Sequence, residues 1–166
     1  IVGNRATSGG GVYLASGAIV QDCELVGNQA NYGGGAIVSP GGLVQGCTVA
    51  SNTASHGGGI ELYEAGTAVE CLVEGNVADT MGGGVVFYAG LSGLARDCVI
   101  RNNTVTNLGM GVGGGGVHIQ YSGAVSNCWI VGNSVASTNG WGGGVMMDSG
   151  GQAGTGRLVN AVISGN

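Results

Sequence analysis

The sequence predicts an all-β solenoid, a parallel β-helix of about six coils. Three observations predict it: a repeating unit of about 24 residues, strand-like alternation inside every unit, and no stretch with a sustained helical period. Cysteines stand at 23, 47, 71, 98 and 128, and an asparagine follows each five residues later, at Asn28, Asn52, Asn76, Asn103 and Asn133. Ala161 and Asn166 continue the series with alanine in place of cysteine. Triple glycines follow at 9–11, 33–35, 57–59, 82–84, 114–116 and 142–144. The first periods are 24 residues and later ones lengthen to 27 and 30.

Each unit reads as short strands. Val12-Tyr13-Leu14, Ile60-Glu61-Leu62, Val85-Val86-Phe87 and Val117-His118-Ile119 place apolar residues at alternate positions after the glycines. Cys23-Glu24-Leu25, Cys71-Leu72-Val73 and Cys98-Val99-Ile100 do the same after the linker. Alternation with period two gives a strand with one buried face. Two or three such strands per unit, with no helix to cross over, make each unit one coil of a solenoid. A leucine-rich repeat has a similar period but would show regularly spaced leucines, which are absent.

The conserved spacing then has a physical reading. Stacked coils place equivalent residues about 4.8 Å apart, so Cys23, Cys47, Cys71, Cys98 and Cys128 form a core column of small hydrophobes. Asn28, Asn52, Asn76, Asn103 and Asn133 form a second column at a turn, passing amide hydrogen bonds from coil to coil. The glycine runs permit positive φ and close backbone approach where the chain re-enters a strand.

Composition excludes several alternatives. Of 166 residues 39 are Gly and 1 is Pro, without the strict every-third-residue glycine of collagen. With 43% hydrophobic and 8% charged residues the chain has the apolar content that disordered segments lack. A net charge of −5 with four Lys and Arg argues against nucleic acid and anionic lipid as partners. No apolar run reaches the roughly 18 residues of a membrane-inserted helix.

The recurring Cys-x-x-x-x-Asn and the Gly34-Gly35-Ala36-Ile37 segment resemble the right-handed parallel β-helix proteins, a group that includes pectate lyases, tailspikes and autotransporter passengers. Among these the repeat style is similar to that of polymorphic outer membrane proteins. The resemblance implies a right-handed, single-stranded parallel β-helix spanning residues 1–166. It also implies a structural, adhesive or filament-forming role at a cell surface or in the extracellular space. Both ends lie at the same phase of the repeat without a polar cap, so the expectation is a segment of a longer solenoid, or a unit that stacks end to end. Partners would then be adjoining coils, a second copy, glycans or a host surface.

Candidate site residues fall into three groups. The residues just before each glycine run, Ser8, Tyr32, His56, Met81, Gly113 and Trp141, should line up along one edge, where Tyr and Trp could stack on sugar rings. The segment between Asn and Gly expands at 104–113 and 134–141, placing two long loops on adjacent coils. Asn107, Met110 and Trp141, with Trp129 nearby in sequence, are candidate binding residues there, beside Tyr32 and His56. The residues preceding each cysteine, Asp22, Gly46, Glu70, Asp97 and Asn127, read as an outward solvated face rather than a calcium site. No cofactor is implied, and no Cys or His spacing suits zinc.

Two columns after the glycines should also point outward: Tyr13, Ile37, Glu61, Val86, His118 and Met146, then Ala15, Ser39, Tyr63, Tyr88, Gln120 and Asp148. His118 and Asp148 could approach across adjacent coils, but no pair of carboxylates suited to glycoside hydrolysis emerges. The expectation is a non-enzymatic β-helix, with a carbohydrate-binding or pectate-lyase-like cleaving module as the alternative.

Overall fold

A computed structural model describes residues 1–89, 92–109, 111–148 and 154–166. They form a right-handed parallel β-helix of about six coils with no helix among the described residues. The first sheet stacks Val12–Leu14, Ala36–Val38, Ile60–Tyr63, Val85–Tyr88, Val117–Gln120 and Val145–Asp148. The second runs from Ile19–Gln21 to Gly156–Val159, and the third from Glu24–Val26 to Val162–Ser164. A fourth, of Thr53–His56, Val77–Met81, Thr104–Val105 and Ser134–Val135, occupies the interval between Asn and Gly that the sequence presents as a turn. Alternation conceals it because these strands bury at most one residue each, such as Ala54 or Ala78.

The core follows from register. Leu14, Val38, Leu62, Phe87 and Ile119 pair in line on the first sheet, facing Leu25, Val49, Val73, Ile100 and Ile130 on the third. All ten are buried. Fully burying one such side chain stabilises by about 1.5–3 kcal/mol. The cysteines stack beside them, Cys23 half-buried at the open end and the other four buried, all as free thiols. Each sulfur donates to the carbonyl two residues back, as in Cys71 to Val69 at 3.2 Å. Burial, its largest influence, pushes the Cys47 thiol pKa up, consistent with an inert packing role.

The asparagine column is fully satisfied. Asn76 Oδ1 accepts from the backbone N–H of Asn52 at 2.9 Å and from its Nδ2 at 3.0 Å. Asn76 Nδ2 donates onward to Asn103 Oδ1 and back to the Val49 carbonyl, both at 2.9 Å. The pattern runs from Asn4, which donates to Asn28, through to Asn166, which accepts from Asn133.

Three left-handed residues close each coil. One precedes the cysteine: Asp22, Gly46, Glu70, Asp97, Asn127 and Asn160 all have φ between 48° and 61°. One precedes the asparagine, for example Gly75 at 60°, and one opens the glycine run, for example Gly57 at 61°. The column before cysteine is therefore set by backbone conformation: Gly46 is its best occupant rather than a gap, and Asp or Asn tolerate it. The other two glycines answer to space. A Cβ on Gly58 would lie 2.5 Å from the Gly83 carbonyl oxygen, and one on Gly59 would lie 3.0 Å from Asn76 Nδ2.

Two outcomes are expected on chemical denaturation. Asn76→Ala should cost about 3–5 kcal/mol, because it strands a buried backbone N–H, a carbonyl and two neighbouring amides. Glu70→Gly should stabilise by about 1 kcal/mol, because it removes a side chain from a left-handed position.

Candidate functional site

The edge column forms as the spacing predicts. Ser8, Tyr32 and His56 bridge in parallel, Met81 pairs with His56, and Gly113 and Trp141 continue the line. The fourth sheet carries this column toward the outer face of the first sheet. That face is consequently not solvated as expected: Ile37, Glu61, Val86 and His118 are 5%, 3%, 0% and 1% exposed. Only Tyr13 at the start of that column is open, at 56%. The expectation fails because period two assigns a side chain to a face but does not reveal what covers it.

At coils one to four this cover leaves a groove of about 210 Å³. Tyr13, Tyr32, Tyr63 and Tyr88 wall it, with Ile37 and Glu61 on its floor. Register positions them: Tyr13 aligns through Ile37 with Glu61, and Tyr63 aligns with Tyr88 on the next coil. Ser39 Oγ meets the Tyr13 hydroxyl at 3.3 Å. The His56 ring lies edge-on to Tyr32, centroids 5.4 Å apart, and 5.9 Å from Tyr88, so it props both walls.

Glu61 is the unusual member. Its Oε2 is buried and has no hydrogen-bond partner among the described residues. Burial alone pushes its pKa from 4.5 up to about 7. Burial, the largest influence, also lowers His56 below its usual 6.5, keeping the imidazole neutral at neutral pH.

Two coils further on, His118 Nε2 meets Asp148 Oδ2 at 2.7 Å, the juxtaposition that register suggested. Burial holds the His118 pKa below 6.5 against the opposing pull of Asp148. The imidazole is therefore a neutral Nε2–H donor to the carboxylate.

The remaining predicted binding residues do not converge. Trp129 is 60% exposed but stands on the third sheet, aligned with Val99 and Val162, so it does not join Trp141 on the edge column. Trp141 is 57% exposed and lines a separate surface hollow with Thr138 and Asn139. Asn107 spends its Oδ1 on the Gly109 N–H at 2.7 Å, closing its own loop. Met110 lies outside the described residues. The two long loops do meet: Ser137 Oγ donates to the Leu108 carbonyl at 3.1 Å. Sequence reasoning passed over Tyr13, Glu61, Tyr63 and Tyr88 as a group because it sought paired carboxylates. The signal available was three tyrosines in two adjoining outward columns within the first four coils.

The fold and groove define a repeat solenoid with an aromatic-walled cleft on one sheet. The chain belongs to the right-handed β-helix family: the family model described as "Right handed beta helix region" matches residues 1–154. No curated protein and no solved structure matches it.

Glu61 should govern part of the pH dependence of stability. The folded state holds a proton on Glu61 that the unfolded chain releases above 4.5, so its contribution is full below pH 4.5 and is lost as pH rises toward 7. The loss amounts to about 3 kcal/mol. His56 and His118, with lowered pKa values, slope the other way below pH 6.5. Denaturation of Glu61→Gln against the parent from pH 4 to 8 isolates the term: the variant should be little changed at pH 4 and more stable at pH 8.

Proposed function

We propose that this β-helix is a non-catalytic, adhesive module of a secreted or cell-surface protein that holds glycan in the groove on its first sheet. The observation that carries this reading is that four tyrosines share a groove with one buried carboxyl whose Oε2 has no hydrogen-bond partner among the described residues. Aromatic faces with polar edges suit the apolar planes and hydroxyls of sugar rings. A single carboxyl in the groove's lining also argues for binding over glycoside hydrolysis. Glu61 and Asp148 stand three coils apart, about 14 Å at the interstrand spacing, beyond the roughly 6.5–9.5 Å of a hydrolytic carboxylate pair.

A structural role is compatible with the same surface. The register that stacks one coil on the next would serve equally to stack a second copy of the chain. Electron microscopy across a concentration series reads such stacking directly, as fibres against short rods.

The glycan reading is tested with a polysaccharide panel, following tyrosine fluorescence and new reducing or unsaturated ends together. A bound glycan without product is expected. Tyr32→Ala and Tyr88→Ala should each weaken it by about 10-fold, whereas Trp129→Ala should leave it within about 2-fold. Product release would overturn the non-catalytic assignment, and unchanged binding in both tyrosine variants would remove the groove from consideration.

A further inference from the structure

The groove has one chemical demand that a neutral sugar leaves unmet. Buried carboxylates are paired with a cation or shed their charge. Glu61 is 3% exposed, and no ion pair reaches it among the described residues. None of the chain's four basic residues lines the groove: Arg96 and Arg101 pair with Asp97 and Glu74, and Arg5 and Arg157 are absent from its walls. The titratable side chains lining the groove beside Glu61 are Tyr13, Tyr32, Tyr63 and Tyr88, with His56 behind Tyr32, Asp79 near His56 and Tyr121 near Tyr88. None supplies a positive charge at neutral pH, since burial keeps His56 neutral.

The walls suit the missing charge. Tyrosine faces attract ammonium groups through the ring quadrupole, most strongly in a desolvated setting. Four such rings line one groove with the carboxyl, and each ring and the acid favour the same ligand charge. The chain's net charge of −5 draws cations toward it at longer range. A neutral hydroxyl would answer the carboxyl's hydrogen bonding but would leave the ring faces without their preferred partner.

We propose that the glycan taken by this groove carries a free amine, a deacetylated hexosamine whose ammonium sits between the tyrosine rings against the Glu61 carboxylate. The proposal rests on the glycan-binding reading above and names its ligand class. It assigns Glu61 as the specificity-determining residue and Tyr32 and Tyr88 as the walls that select charge. It also explains why the chain keeps a buried acid that weakens the apo fold at neutral pH. Binding should release a proton from Glu61, because the ammonium lowers a carboxyl pKa that burial alone has raised to about 7.

The test is isothermal titration calorimetry of the whole protein at pH 6.5 with three tetrasaccharides: glucosamine, N-acetylglucosamine and glucose oligomers. Running each in two buffers of different ionisation enthalpy counts the protons exchanged. The glucosamine oligomer should bind about 10-fold or more tighter than the other two, with net proton release. Glu61→Gln, isosteric and expected to fold, should erase both that preference and the proton release. Tyr32→Ala, at an exposed wall, should weaken the glucosamine oligomer most. Equal or tighter binding of the acetylated or neutral oligomer would overturn the amine assignment and leave the glycan reading standing. Absence of binding by all three oligomers and by the wider polysaccharide panel would overturn both.

Discussion

A solenoid must hand every backbone polar group of one coil to the next, and the point of greatest difficulty is the corner where strand geometry breaks. In this chain the buried asparagine column resolves it. Each side chain replaces the missing ladder at a corner by accepting two hydrogen bonds from one neighbour and donating one to the other. It also ties back to a carbonyl on the strand before the preceding asparagine. Its oxygen and nitrogen therefore determine the height of one coil above another. The third glycine of each triplet lies against this amide, and a methyl group there would push into it. The sheets, the core columns and the groove all inherit their register from that contact.

Most of this was legible because it repeats. The five-residue step from cysteine to asparagine contains an inward strand and a left-handed corner, and that geometry admits few alternatives. Cys71 and Val73 could be placed inward, and Asn76 at a turn, from spacing alone. The residue before each cysteine was harder to read. Asp22, Gly46 and Glu70 look unrelated as charges, and only their common positive φ makes them one class. The fourth sheet escaped notice because alanine and threonine at Ala54, Ala78 and Thr104 carry too little hydrophobic contrast to show a period.

The groove escaped for a different reason. It is made by residues that belong to different positions of the repeat: Tyr32 from the edge column, Tyr13 and Glu61 from one outward column, Tyr63 and Tyr88 from the other. Each is ordinary in its own column. Their meeting depends on how the edge column sits beside the outer face of the first sheet, a tertiary arrangement that no alternation of polar and apolar residues encodes. The buried acid at Glu61 is likewise a departure from the column rule, since Ile37 and Val86 on either side are apolar. A repeat protein carries its architecture in what recurs and its chemistry in what fails to recur.

The lengthening of the units shows how such a chain can change. Successive ladder asparagines are separated by 24, 27, 30 and 33 residues, yet their amide contacts stay between 2.9 and 3.0 Å. Added residues are absorbed outside the corners and leave the stacking undisturbed. The gene can therefore tolerate slippage in whole units and insertions between them, because neither disturbs the neighbour-to-neighbour bonds that hold a coil. A duplicated pair of units bearing Tyr32 and Glu61 would extend the cleft along the axis by two coils. The length of the cleft, rather than the make-up of any one coil, is then the property that a change in unit number alters most directly.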